Sequence, residues 1–168
     1  MSDSELNEDH VARVHAQWAR EMPDVEIVGA QVLARAGRIT LRTRQDIDDV
    51  FKKFDLDSGE FYVLSALRRA GAPYALRPTE IYRSLMISSG GLTDRLNRLE
   101  AAGLVRRRAS EEDARSMLVE LTPAGRKRIE AAFRADMELE NRLVTGLTRK
   151  EHSELVRLLR KLALSIGA

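Results

Sequence analysis

A glycine-stopped helix that runs straight into a basic strand is the feature that most limits what this chain can fold into. In SSGGLTDRLNRLEAAG (88–103), Leu92, Leu96 and Leu99 fall at i, i+4 and i+7, the helical period, Ser88 or Ser89 can cap the start, and Gly103 supplies the stop. The next residues, LVRRR, read as a strand. A polar tip follows at Ser110, Glu111, Glu112 and Asp113, then the strand MLVEL and the helix opening Thr122-Pro123. Upstream, Pro78 suits the first turn of a short helix from Thr79 to Met86. Two short helices joined by a tight turn and followed by a hairpin form a winged helix-turn-helix, an arrangement that reads duplex DNA.

The flanking segments are helical by the same test. Residues 5–21 place Val11, Val14 and Trp18 on one face before Pro23, and residues 24–44 place Val25, Val28, Val32, Ala36 and Ile39 at steps of three and four. Asp57 with Glu60 is a capping-box pattern opening a helix with Phe61, Leu64 and Leu67 inward, ending near Gly71. The helix after Thr122 carries Ile129, Phe133, Met137 and Val144 and stops near Gly146. A second capping box, Thr148 with Glu151, opens a last helix apolar at Leu155, Val156, Leu158, Leu159, Leu162, Ala163, Leu164 and Ile166. Apolar residues around so much of a terminal helix imply a subunit interface. The expected fold is mainly α with a small β-hairpin wing, a winged helix-turn-helix with a helical homodimer interface. The expected organisation is one domain over 1–168: an extension helix over 1–22, dimerisation helices over 23–56 and 122–168, and the winged module over 57–121.

Charge along the chain is more telling than its net value of +2. Residues 68–108 hold nine arginines against three carboxylates, whereas residues 1–30 hold two arginines against seven. A cationic middle suits a polyanion, since each phosphate contact releases condensed counterions. No window approaches the roughly 20 apolar residues of a membrane span, and the N-terminus is acidic where a signal peptide is basic, so a cytoplasmic protein with no membrane partner is expected. Without cysteine there is no thiolate metal site or thiol switch. The three histidines, His10, His15 and His152, include no i, i+4 pair, so no metal is expected. No phosphate loop, nucleophile elbow or paired-carboxylate arrangement points to an enzyme or a cofactor.

With the leucines of the second helix turned inward, Thr93, Asp94, Asn97 and Arg98 lie outward, within reach of a major groove. Arg and Asn carry the paired donors and acceptors that match guanine and adenine edges. Ser88 and Ser89 can donate to phosphates beside the helix start. In the wing, strand alternation sends Arg106 and Arg108 to one face and Arg107 to the other. Arg115, near the tip, is the candidate minor-groove probe, with Asp113 orienting an arginine.

EFYVLSALRRAG (60–71), RPTEIYRSLMISSGGLTDRLNRLEAAGLVRR (77–107) and DARSMLVELTPAG (113–125) resemble the MarR family of winged-helix transcriptional regulators. The Asp-x-Arg and Leu-Thr-x-x-Gly spacing at Asp113, Arg115, Leu121, Thr122 and Gly125 is a signature of that family's wing. The resemblance implies a homodimer formed by N- and C-terminal helices, a repressor on a pseudo-palindromic DNA operator, and release by a small, often aromatic, ligand. The N-terminal extension is similar to that of the family's urate-responsive branch, whose pocket residues match Trp18, Arg95 and Arg107. Where that branch has an acidic residue this chain has Tyr62. An aromatic wall, two arginines and a phenol suit a planar aromatic carboxylate as effector. The alternatives are a urate-type purine effector, a DNA-binding protein without a ligand, a scaffolding dimer that has lost DNA binding and, for Trp18, a staple between helices.

Overall fold

The computed structural model describes residues 8–85, 89–109 and 117–167. Along the chain lie α1 (His10–Glu21), α2 (Val28–Lys52), α3 (Ser58–Arg69), β1 (Ala75–Leu76), α4 (Pro78–Leu85), α5 (Ser89–Ala101), β2 (Val105–Ala109), β3 (Met117–Leu121), α6 (Pro123–Leu143) and α7 (Arg149–Ser165). They group into two units, one ending at Asp46 and one beginning at Ile47. No helix among the described residues is long and apolar enough to cross a membrane.

In the first unit, Asp9 starts α1 by accepting the Ala12 N–H at 2.8 Å. The same carboxylate is forked by Arg35 of α2, Nε to Oδ2 at 2.8 Å and Nη2 to Oδ1 at 2.9 Å. The hydrogen bond from Arg35 holds the Asp9 carboxyl below its ordinary pKa. Val11 is buried, while Trp18, Val28, Val32 and Ile39 stay exposed in the single chain.

α2 runs eight residues past the end the pattern predicts, because Val50 and Phe51 continue its apolar face into the second unit's core. It stops by a left-handed C-cap built on Asp55 (φ 54°) instead of glycine, with the Leu56 N–H returning to the Phe51 carbonyl. The predicted Asp57–Glu60 capping box then opens α3 as expected.

α3 is the centre of the second unit. Phe61 stacks on Phe51 with centroids 3.9 Å apart, and beside Leu64 and Leu67 of α3 itself, Ile81, Leu96, Leu99, Val119 and Ile129 close around them from α4, α5, β3 and α6. Gly103 (φ 69°) ends α5 with the Leu104 N–H on the Leu99 carbonyl. The wing strands β2 and β3 pair antiparallel, with Arg106 opposite Glu120 and Arg107 opposite Val119. A third strand, not anticipated, joins the other edge of β3: the two-residue β1, with Ala75 opposite Glu120. Two residues carry no periodicity, so nothing in the sequence marks it.

Thr122 locks the end of the recognition segment to α6. Its hydroxyl donates to the Gly103 carbonyl at 2.7 Å and accepts the Gly125 N–H at 3.0 Å, which caps α6. Gly125 in turn lies flush on the Leu104 carbonyl.

On α6, Asp136 is buried at 4% exposure, and its Oδ1 has no hydrogen-bond partner. Burial, and then the neighbouring Glu140 carboxylate, push its pKa up to about 6. The folded carboxyl therefore keeps its proton where the unfolded one ionises, and stability falls as pH rises from about 4 to about 6, then levels off. The ceiling on that cost is about 3 kcal/mol. Asp136→Asn removes the charge but leaves a polar group unpartnered, so a gain of about 1–2 kcal/mol is expected at pH 8. Thermal unfolding should show that gain vanish by pH 4; equal gains at both pH values would exclude an ionisation origin.

Candidate nucleic-acid and effector sites

α5 presents Thr93, Asp94, Asn97 and Arg98 to solvent, because Leu92, Leu96 and Leu99 are buried against the core. Ser89 is the first residue of α5. Ser88 and Arg115, together with Asp113, fall outside the described residues.

The arginines of this face are held by carboxylates. Arg98 Nε donates to Glu60 Oε1 and its Nη2 to Asp57 Oδ2, both at 2.7 Å. The remaining oxygens of those carboxylates close the α3 capping box: Asp57 Oδ1 accepts the Glu60 N–H at 2.7 Å and Glu60 Oε2 accepts the Asp57 N–H at 3.0 Å. On the wing, Arg106 and Arg108 share Glu120, at 2.9 and 2.7 Å, on one face of β2. Their hydrogen bonds, that from Arg106 foremost, hold the Glu120 carboxyl below its usual range.

Arg107 turns to the opposite face and bridges wing to recognition helix. Its N–H and Nη1 donate to the two oxygens of Glu100 at 3.0 and 2.6 Å, and its Nη2 donates to Asn97 Oδ1 at 2.7 Å. That last bond fixes the Asn97 amide with its NH₂ turned away from the wing. Sequence reasoning assigned Asn97 to DNA and Arg107 to a ligand without the link between them; the spacing of ten residues across a Gly turn carries no periodic signal.

Of the candidate effector residues, Arg95 lies across the first turn of α3, where a Cβ on Gly59 would overlap its guanidinium. Tyr62, one turn further along α3, is half exposed and packs edge-on against Phe51 and Phe61. Arg95 and Tyr62 thus share the N-terminal half of α3, while Arg107 is anchored near the other end of α5. Trp18 belongs to the first unit, 52% exposed.

Two further clusters had no sequence signal. The guanidinium groups of Arg68 and Arg126 lie 5.0 and 4.9 Å from the Tyr74 ring centre and share Glu130 Oε1. A groove of about 990 Å³ between α3 and α6 is lined by Ser65, Arg68, Arg69, Phe133, Arg134 and Met137, among others. No cluster of His, Cys, Asp and Glu among the described residues is arranged to hold a metal ion.

Comparison with known proteins agrees with this architecture. A family model described as MarR family matches residues 54–116. The HTH-type transcriptional regulator PecS of Dickeya dadantii is 37% identical over 149 residues, covering 89% of this chain and 90% of that protein. The multiple antibiotic resistance protein MarR of Salmonella typhimurium is 31% identical over 131 residues, covering 75% and 89%. The solved structure of Bordetella bronchiseptica BpsR, whose DNA binding is regulated by 6-hydroxynicotinic acid, superposes with a TM-score of 0.61 at 27% identity, covering 77% of this chain and 98% of that one. By its winged helix-turn-helix and by these relationships, the chain belongs to the MarR family of DNA-binding transcription regulators.

Proposed function

We propose that the chain acts in the cytoplasm as a homodimeric repressor on a pseudo-palindromic operator and is released from it by a planar aromatic carboxylate. In this reading Thr93, Asp94, Asn97 and Arg98 meet base edges, Ser88, Ser89, Arg106 and Arg108 meet phosphates, and Arg115 enters the minor groove. A two-fold dimer places the half-sites about 10 base pairs apart or a multiple of that. The effector contacts Trp18, Tyr62, Arg95 and Arg107. BpsR supports the class of effector, since 6-hydroxynicotinic acid is itself a flat aromatic acid.

The observation that carries this reading is the double engagement of Arg107 with Glu100 and Asn97. A carboxylate ligand competes with Glu100 for the guanidinium and so disturbs the side chain that reads the groove. The effector releases DNA only by as much as it prefers the non-binding conformation; a ~100-fold loss of operator affinity corresponds to ~2.7 kcal/mol of coupling.

Thermal-shift screening of aromatic acids with Trp18 fluorescence, followed by operator titration, tests the reading. A hit should weaken operator binding by about 100-fold in the parent and by less than tenfold in Arg107→Ala. Equal binding of the hit to Trp18→Ala, Arg95→Ala and Arg107→Ala would remove the pocket. Operator binding with neither sequence preference nor a steep salt slope would favour a scaffolding dimer. A urate-type effector is the second reading, favoured by the Trp18, Arg95 and Arg107 match, and a urate response of the parent chain would establish it. On the aromatic-acid reading, Tyr62→Asp should gain a urate response while losing the aromatic-acid hits.

A further inference from the structure

We infer that Asp57 and Glu60, outside the recognition helix, are specificity-determining positioning residues that hold Arg98 ready for two-pronged recognition of a base. The inference rests on the proposed reading of DNA by α5 and assigns the chemistry of one contact within it.

A guanidinium has two usable edges. On Arg98 the side-on edge, made of the Nε–H and one Nη2–H, is taken by Glu60 Oε1 and Asp57 Oδ2. The end-on edge, Nη1 and the second Nη2–H, makes no hydrogen bond among the described residues. Arg98 is exposed on the outward face of α5, beside Asn97 and one turn from Asp94. Two parallel N–H donors are the complement of guanine O6 and N7, and that pairing is the commonest specific arginine contact in the major groove.

Fixing the side chain beforehand matters because a free arginine loses much of its rotamer entropy when it is immobilised. Here the folded protein has already restricted those torsions, so less is lost on binding. Each carboxylate is itself fixed, since its other oxygen accepts a backbone N–H of the capping box. The support is thus rigid from the α3 backbone outward, which is what a precise contact requires. Two carboxylates near a phosphate backbone also repel it, so they weaken binding that does not use Arg98.

The test separates charge from folding. Asp57→Asn keeps an equally good cap and Glu60→Gln keeps the capping box, but both present amide N–H groups that cannot accept from Arg98. Binding is measured to the best duplex recovered from a randomised pool, to its single-base variants, and to a scrambled duplex, with thermal unfolding alongside. The double variant should lose about tenfold in affinity for the best duplex, with the preference lost at a single base pair per half-site. Its affinity for scrambled DNA should hold or rise, an outcome that general destabilisation does not produce. In an Arg98→Ala background the same two changes should have no further effect on preference.

If the double variant fails to fold, Asp57→Asn alone carries the same expectation at smaller amplitude. Preference unchanged in the double variant but lost in Arg98→Ala would overturn the positioning role and leave base reading standing. An equal loss for Arg98→Ala on both duplexes would overturn base reading by Arg98, and the positioning role with it.

Discussion

Gly125→Ala is expected to destabilise the second unit by about 3 kcal/mol or more, beyond the usual cost of one added methyl group. A Cβ at this position would overlap the Leu104 carbonyl oxygen, and the obstacle is backbone, which cannot swing aside as a side chain can. Leu104 also receives the Thr122 N–H, so displacing it loosens the cap of α6 and the start of β2 together. Differential scanning calorimetry should show a fall in midpoint of roughly 10 °C for a chain of this size. A midpoint within 2 °C of the parent would mean that the wing root yields at no cost. Gly59→Ala is the control, because its obstacle is the mobile end of Arg95, and a smaller loss is expected there.

Removal of residues 148–168 should abolish the soluble folded protein. α7 has no buried residue in the single chain, and Leu155, Val156, Leu158, Leu159, Leu164 and Ile166 are exposed along it. Leu143, Val144 and Leu147, at and just past the end of α6, are exposed as well. Contiguous apolar surface on this scale marks an interface, and we assign it to the second copy of the proposed homodimer. Without α7 the end of α6 loses its partner surface and the protein should aggregate or unfold. A truncated chain that sediments as a stable monomer, with an unchanged unfolding transition, would contradict the assignment.

The winged module could be read from the sequence because each of its elements carries its own punctuation. Gly103, the Asp57–Glu60 box and Thr122-Pro123 are local signals, set by backbone conformation and capping within a few residues. Where punctuation is unusual, the pattern misleads. Asp55 ends α2 in a left-handed conformation that glycine more often supplies, so the predicted end falls short at residue 44. The stripe on α2 has helical spacing, yet Val28, Val32 and Ile39 are exposed in the single chain, since periodicity gives a face and not what covers it.

At the candidate sites, residue types and outward faces were legible, and the pairing of strand faces by Arg106 and Arg108 follows directly from alternation. The ion pairs were not. Arg98 meets residues 38 and 41 positions away, and Arg68 meets Glu130 at a separation of 62. Such partners are chosen by how α3 packs on α5 and α6, information held in the assembled core and in no local window.

The double duty of the α3 capping box bears on how such a regulator diverges. Serine and asparagine start a helix about as well as aspartate does. At position 57, however, only a carboxylate has a second acceptor oxygen to offer Arg98 while the first closes the helix. On the proposed positioning role, a substitution that leaves the helix start intact therefore relaxes the preference at one base pair of each half-site. Duplicated copies of such a gene would widen their range of tolerated targets by drift at a helix cap, with the recognition helix itself unchanged.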